Sequence, residues 1–186
     1  MPSKARTTRT TRKTRKTRKT RTSQTILTMK RFAILMCCMG NICRSPTAEG
    51  VLRAKLAQAG LADAVDVDSA GTHSYHLGHA PDRRAQQHAL ARGYDLAGQR
   101  ARLAAVEDFG RFDLVLAMDR DNLARLQALC PPEHRHKVKL LMHFATRHDA
   151  DEVPDPYYGE GDGFERVLDY VEDACDGIVA MLRQRQ

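Results

Sequence analysis

Beyond its first 28 residues, this chain alternates short apolar runs with amphipathic stretches. Phe32 to Cys38 reads Phe-Ala-Ile-Leu-Met-Cys-Cys, a continuous apolar run of strand length. Ser45 to Ala59 then carries Ala48, Val51, Leu52, Leu56 and Ala59 at helical spacing, with Ser45 as N-cap, Pro46 at the first helical position and Gly60 as the stop. Val65 and Val67 alternate with Asp66 and Asp68 in a short strand that runs into Ser69-Ala70-Gly71. A helix is predicted over about Asp82 to Arg92, stopped by Gly93, and a buried strand over Phe112 to Met118. Asp119 is placed to cap a helix that continues to about Leu129 and ends at Pro131-Pro132. Val138 to Met142 is a fourth strand. In the last helix Phe164, Val167, Leu168, Val171, Ala174, Cys175, Ile178 and Leu182 share one face. Alternation of this kind predicts an α/β fold, with a mostly parallel sheet and helices on both faces. Ligands of such sheets sit at the carboxyl ends of strands, which directs attention to the loop after the first strand.

The chain has 186 residues, about one domain's worth, with 42% hydrophobic and 28% charged residues, the usage of a folded protein. No apolar run approaches the ~18 residues of a spanning helix, so no membrane partner is expected. The net charge of +7 changes meaning once its position is known. Residues 1 to 28 hold ten of the 30 basic residues and no acidic ones, which leaves 20 basic against 23 acidic over 29 to 186. The body is mildly acidic, and basicity is no argument that it binds nucleic acid. From Arg6 to Arg21 an Arg recurs every third residue among Thr and Lys, with too little apolar surface to order itself. A nucleic-acid arm, a transit peptide and an upstream extension compete for this tail. The third is favoured, because Met29 begins Met-Lys-Arg and a strand follows at once. Deletion of residues 1 to 28 is then expected to leave activity intact. The five cysteines, Cys37, Cys38, Cys43, Cys130 and Cys175, are odd in number and follow no secretory signal, so a reducing, cytoplasmic setting is expected.

The loop after the first strand reads Cys38-Met39-Gly40-Asn41-Ile42-Cys43-Arg44-Ser45-Pro46. A Cys followed six positions later by an Arg is expected about 0.6 times by chance here, so the spacing alone decides nothing. Its setting does: a loop leaving a buried strand and entering a helix turns its backbone N–H groups and the helix N-terminus onto one point, an anion cradle. Cys38 at the base of that cradle is expected to be held as the reactive thiolate. Arg44 offers a planar fork that grips two phosphoryl oxygens and follows them as phosphorus becomes trigonal bipyramidal. Gly40 and Asn41 are residue types that tolerate positive φ in a tight loop, and the Ser45 hydroxyl is placed to bond the Cys38 sulfur and help it leave.

At these residues the chain resembles the low molecular weight protein tyrosine phosphatases of bacterial type, over about Lys30 to Arg183. The loop above is the first of three motifs that carry the resemblance; Asp68-Ser69-Ala70-Gly71-Thr72 and Asp155-Pro156-Tyr157-Tyr158-Gly159 are the others. The resemblance implies a single domain from 29 to 186, with a four-stranded parallel sheet and a phosphate-binding loop after strand 1. It implies hydrolysis of phosphotyrosine in protein substrates through a Cys38 phosphoenzyme, with Arg44 binding phosphate and Asp155 as general acid and base. Met39, Gly40, Asn41, Ile42, Cys43 and Ser45 complete the substrate-binding loop, Asn41 and Ser69 also support it by hydrogen bonds, and Tyr75, Tyr157 and Tyr158 wall the cleft. Gln99 stands where some members carry a His that bonds the loop-supporting residues, and is expected to donate in its place. In relatives that carry the Cys43 equivalent, it can form a reversible disulfide with the nucleophile.

The role implied for Asp155 has independent chemical sense. A phenolate leaves far more readily when protonated, and a carboxylic acid in the cleft can supply the proton. An ordinary Asp is only about 1% protonated at pH 6, which predicts a bell-shaped profile with a mildly acidic optimum. Cys37, Cys130 and Cys175 read as core residues, Cys37 facing away from the loop by strand alternation. His73, His76 and His79 lack an accompanying ligand set, so no metal and no cofactor is expected. Three rivals stand beside the phosphotyrosine reading. An arsenate reductase needs a relay of late cysteines, for which Cys130 and Cys175 are poorly placed. An arginine phosphatase tends to carry Thr where Ile42 stands. A binding module without turnover would be expected to have lost Cys38 or Asp155.

Overall fold

The structure is a computed structural model that describes residues 30–157 and 162–185. The basic tail and Tyr158 lie outside the described residues. Four strands, β1 (Phe32–Cys38), β2 (Val65–Gly71), β3 (Leu114–Ala117) and β4 (Val138–Leu140), form one sheet in the order β2-β1-β3-β4. Every pairing is parallel, with Cys38 opposite Gly71 on one side of β1 and Cys37 opposite Ala117 on the other. Parallel neighbours demand crossovers, which are supplied by α1 (Arg44–Gln58), α2 (Arg83–Ala91), α3 (Val106–Arg111) and α4 (Arg120–Leu129); α5 (Gly163–Arg183) closes the chain.

Strand alternation divides β1 between two cores. Ile34, Met36 and Cys38 face α1 and α5, where Leu52, Leu56, Val171, Cys175 and Ile178 complete one cluster. Ala33, Leu35 and Cys37 face the opposite side with Phe109, Phe112, Leu126 and Cys130. Ile34, Leu35 and Met36 of β1 are fully buried and contribute about 2 kcal/mol each, while Phe32 is half-buried at the strand's start. All eight apolar positions predicted for the last helix are buried on α5.

The expected elements are present with revised ends. β3 is confined to Leu114–Ala117, because the Phe112 amide closes α3 on Asp108 and Met118 leaves the strand after bonding the Cys37 carbonyl. β4 stops at Leu140, where a 3-10 turn over Leu141–Phe144 begins. α3 and a 3-10 helix over Pro132–Lys137 escaped prediction, being too short to show a period. Asp82 and Asp119 cap α2 and α4 through their side chains. Ser45 does not cap α1. The N-cap is Cys43, without a side-chain bond, and the Ser45 hydroxyl is turned back toward the loop. The first half of α1 is buried all round, from Arg44 to Leu52, so this helix carries polar side chains into the interior.

Candidate active site

The loop Cys38–Arg44 leaves the carboxyl end of β1 and enters α1. Asn41 adopts φ 55, the left-handed conformation that Asn tolerates better than most side chains. Gly40 does not share it; its need for glycine is spatial, since an added Cβ would lie 2.8 Å from His76 Cδ2. The loop is tied to the end of β2 by Thr72 N donating to the Cys38 carbonyl at 2.8 Å and His73 N to that of Met39 at 3.0 Å. Gly71 permits this approach, because a Cβ there would meet the Met39 carbonyl oxygen at 2.9 Å.

Beneath the loop lies a buried polar layer. Asn41 Nδ2 donates to Ser45 Oγ and to Ser69 Oγ, both at 2.9 Å, while its Oδ1 accepts from Arg102 N at 2.9 Å. Ser45 Oγ lies 3.1 Å from Cys38 Sγ. Ser69 donates onward to Glu49 Oε2 at 2.7 Å. Asn41, Ser45 and Ser69 are therefore supports behind the loop, and the two side chains counted among the substrate contacts, Asn41 and Ser45, do not face the cavity. Gln99 does not take the place of the family's His. Its Nε2 donates to the Pro46 carbonyl at 3.0 Å and its Oε1 has no hydrogen-bond partner among the described residues, whereas Glu49 receives the Ser69 bond.

Arg44 is almost wholly buried and divides its guanidinium among three acceptors. Nη1 donates to Asp119 Oδ2 at 2.6 Å and to the Val153 carbonyl at 3.1 Å; Nη2 donates to Asp155 Oδ2 at 2.8 Å. Burial works against its charge, but Cys38, Asp155 and Asp119 outweigh that and raise the Arg44 pKa, so the cation persists. Asp155 sits on the segment before α5 with its side chain 38% exposed, and its Oδ1 accepts from Tyr157 N at 3.1 Å.

These groups open on a cavity of about 260 Å3, lined by Cys38, Met39, Gly40, Ile42, Cys43, Arg44, Tyr75, His76, Asp155 and Tyr157. The sulfur-bearing Cys38, the Arg44 fork and Asp155 thus line one cavity together with Tyr75 and Tyr157. Cys43 is buried with a free thiol, and burial foremost, then Asp82, Cys38 and Asp155, push its pKa up, so it resists ionisation. Among the described residues no group of three or more His, Cys, Asp or Glu could hold a metal.

Three residues went unrecognised in the sequence: Glu49, His76 and the second role of Asp119. Asp119 reads as a helix cap and is one, accepting from Asn122 N at 2.7 Å through Oδ1 while Oδ2 holds Arg44. Its position just after β3, at the carboxyl edge of the sheet, was the available signal. His76 carried none, and Glu49 looks like any helical Glu until its burial is known.

Comparison with known proteins agrees with this geometry. A sequence model of the family "Low molecular weight phosphotyrosine protein phosphatase" matches residues 33–186. A Synechocystis sp. chain provisionally named a low molecular weight protein-tyrosine-phosphatase is 48% identical over 150 residues, spanning 80% of this chain and 95% of that one. The low molecular weight protein-tyrosine-phosphatase of Streptomyces coelicolor is 42% identical, over 83% of this chain and 95% of its own. A crystal structure of a protein tyrosine phosphatase from Entamoeba histolytica superposes with a TM-score of 0.80 at 40% identity, covering 82% of this chain and 97% of that one.

Proposed function

Because the chain belongs to the low molecular weight phosphotyrosine protein phosphatase family, its activity is hydrolysis of phosphotyrosine, and we propose how its residues divide that work. Cys38 Sγ, as thiolate, attacks phosphorus in line with the phenolic oxygen. The S–P bond forms as the P–O bond breaks, and Asp155 gives its proton to the departing phenolate. Arg44 exchanges its Asp155 partner for phosphoryl oxygens while Asp119 keeps hold of Nη1, and the backbone N–H groups of the loop take the charge that grows on the equatorial oxygens. In the second step water attacks the phosphocysteine, the Asp155 carboxylate receives the water proton, and Cys38 leaves as thiolate, its charge eased by the Ser45 hydroxyl. The sequence of steps needs neither metal nor redox cofactor.

The observation that carries this reading is the convergence of Cys38, Arg44 and Asp155 on one cavity from positions up to 117 residues apart in sequence. Tyr75 and Tyr157 flank its mouth and suit a phenyl ring of a protein substrate. Cys130 and Cys175, the cysteines a reductase relay would require, are buried in the two separate cores, which favours the phosphatase. A nucleophilic thiol must stay reduced to work, which fits a cytoplasmic setting. The test is hydrolysis of para-nitrophenyl phosphate and of a phosphotyrosine peptide by wild type and Cys38→Ser, at pH 6 with a chelator present. Turnover in the wild type alone is expected; equal turnover by the variant would remove the thiolate mechanism.

A further inference from the structure

The N-terminal end of α2 stands between the loop that carries Cys38 and the segment that carries Asp155, and it touches both. On the loop side, Asp82 N donates to the Ile42 carbonyl at 2.7 Å. On the acid side, Nη1 and Nη2 of Arg84 each lie 3.4 Å from the Tyr157 carbonyl oxygen, and the guanidinium carbon sits 5.7 Å from the centre of the Tyr157 ring. Arg84 is itself held. Asp82 accepts from its Nε at 3.1 Å and its Nη2 at 3.0 Å in a two-pronged pair, and the centre of the Phe164 ring lies 4.9 Å from the guanidinium carbon. Phe164 is buried with Cys43 and Ala85, against which Ile42 packs, so this platform ties the loop, α2 and α5 together.

We propose that Arg84 is a positioning residue for the general acid: anchored to the loop through Asp82, it fixes the Tyr157 peptide, whose N–H aims the Asp155 carboxyl at the leaving oxygen. The inference rests on the phosphatase reading for its kinetic consequence. Without substrate, Asp155 is held through Oδ2 by Arg44 at 2.8 Å and through Oδ1 by the Tyr157 amide at 3.1 Å. When Arg44 leaves Asp155 for the phosphoryl oxygens, the carboxyl depends on the Tyr157 amide. Upstream, the segment is pinned where Val153 N donates to the Met118 carbonyl at 2.8 Å. Downstream, Arg84 pins the Tyr157 peptide. A Lys there would supply the charge, but not two N–H groups on one carbonyl together with a planar face for the rings. Arg84 lies outside the cavity lining, so it acts through Tyr157 and Asp155 without touching substrate.

The experiment uses the full chain as wild type, Arg84→Met, Arg84→Lys, Asp155→Asn and the double variant Arg84→Met with Asp155→Asn. Values of kcat/KM are measured over aryl phosphates of increasingly basic leaving groups, from para-nitrophenyl phosphate to phosphotyrosine, beside hydrogen exchange at the Tyr157 amide by NMR. Arg84→Met spares the cap of α2, because Asp82 accepts there from the Arg84 backbone N–H at 2.8 Å. It should lower kcat/KM about tenfold on phosphotyrosine and less than about twofold on para-nitrophenyl phosphate, and speed exchange of the Tyr157 amide about tenfold. Arg84→Lys should fall between wild type and Arg84→Met on each measure. In the Asp155→Asn background, Arg84→Met should cost no further activity. An equal loss on every leaving group, a further loss in the Asp155→Asn background or an unmoved Tyr157 amide would overturn the proposal. If Arg84→Met does not fold, Arg84→Lys must show the same leaving-group signature at smaller size, and its absence there is equally fatal. Wild type inert toward every aryl phosphate would defeat the phosphatase reading, while amide exchange in the Arg84 variants would still judge the positioning.

Discussion

The two halves of the active site are built by opposite means. The nucleophile half, Cys38 to Ser45, is sunk between β1, β2 and α1, and its supporting side chains Asn41, Ser45 and Ser69 are almost fully buried in a hydrogen-bonded layer. The acid half is a surface segment with Asp155 more than a third exposed, held at its tip by Arg44 and the Tyr157 amide. Its base is anchored by Asp173 of α5, which accepts from the N–H groups of Thr146, Arg147 and His148. The contrast follows from the tasks. A thiolate and an oxyanion cradle must be organised before substrate arrives, whereas the acid must meet a leaving group and then a water that come from solvent.

The contrast orders the expected effects of substitution. Cys38→Ser should abolish turnover, by about 10^4-fold or more in kcat, with the fold intact by circular dichroism. Asp155→Asn should cost about 10^2 to 10^3-fold in kcat on phosphotyrosine, less on para-nitrophenyl phosphate with its weakly basic leaving group, and should flatten one limb of the pH profile. Were Asp155→Asn as damaging on the good leaving group as on the poor one, the division between the halves would be wrong. Asn41→Ala removes three hydrogen bonds and places Ala at φ 55. It should lower stability by about 2 to 3 kcal/mol in denaturant titration and kcat roughly 10^2-fold, striking both because this half is part of the core.

Asp173→Ala, by contrast, should act on stability first. Burial pushes the Asp173 carboxyl up, but the backbone donors and His148 outweigh it and hold the pKa well below the usual carboxylate range. A group so depressed contributes stability above its unfolded pKa, near 3.9, and loses that contribution as pH falls through the folded value. The variant should therefore be about 2 to 3 kcal/mol less stable at pH 7 and approach wild type under strong acid, with kcat reduced only severalfold. The smallest effect is expected at Gly40→Ala, where the obstacle is one edge of the movable His76 ring: under about 1 kcal/mol in melting experiments. Gly71→Ala meets the Met39 and His73 carbonyl oxygens instead and should cost about 2 kcal/mol.

Legibility followed the same division. β1 was readable as an unbroken apolar run and the apolar face of α5 as a helical period, each contained within one element. The cradle was readable because it is contiguous, Cys38 to Pro46, and its strand and helix flanks say what the loop must do. Asp155, Ser69 and the tyrosines entered only through resemblance to a family, since no local pattern marks them. Glu49 was missed because half of α1 is buried all round, and a helix without a solvent face offers no periodic hint that one of its carboxylates is interior. The error at Ser45 has the same source: a serine before a proline looks like a cap, yet its hydroxyl found acceptor and donor in the loop beneath.

The amino-acid sequence by itself determined the alternation of strands and helices, the two-sided burial of the sheet, and the placing of a thiol and a guanidinium in a loop between β1 and α1. These depend on interactions within about a dozen residues, where the spacing of side chains along the backbone is fixed by its own geometry. Tertiary structure alone decided which carboxylates share Arg44, 75 and 111 residues away, and that Ser69 would answer to Glu49 rather than Gln99. Those choices turn on distances of a few tenths of an ångström between side chains from different elements. Such distances are set only when the sheet, α1 and α5 have packed and excluded the water that would otherwise compete for every one of these hydrogen bonds.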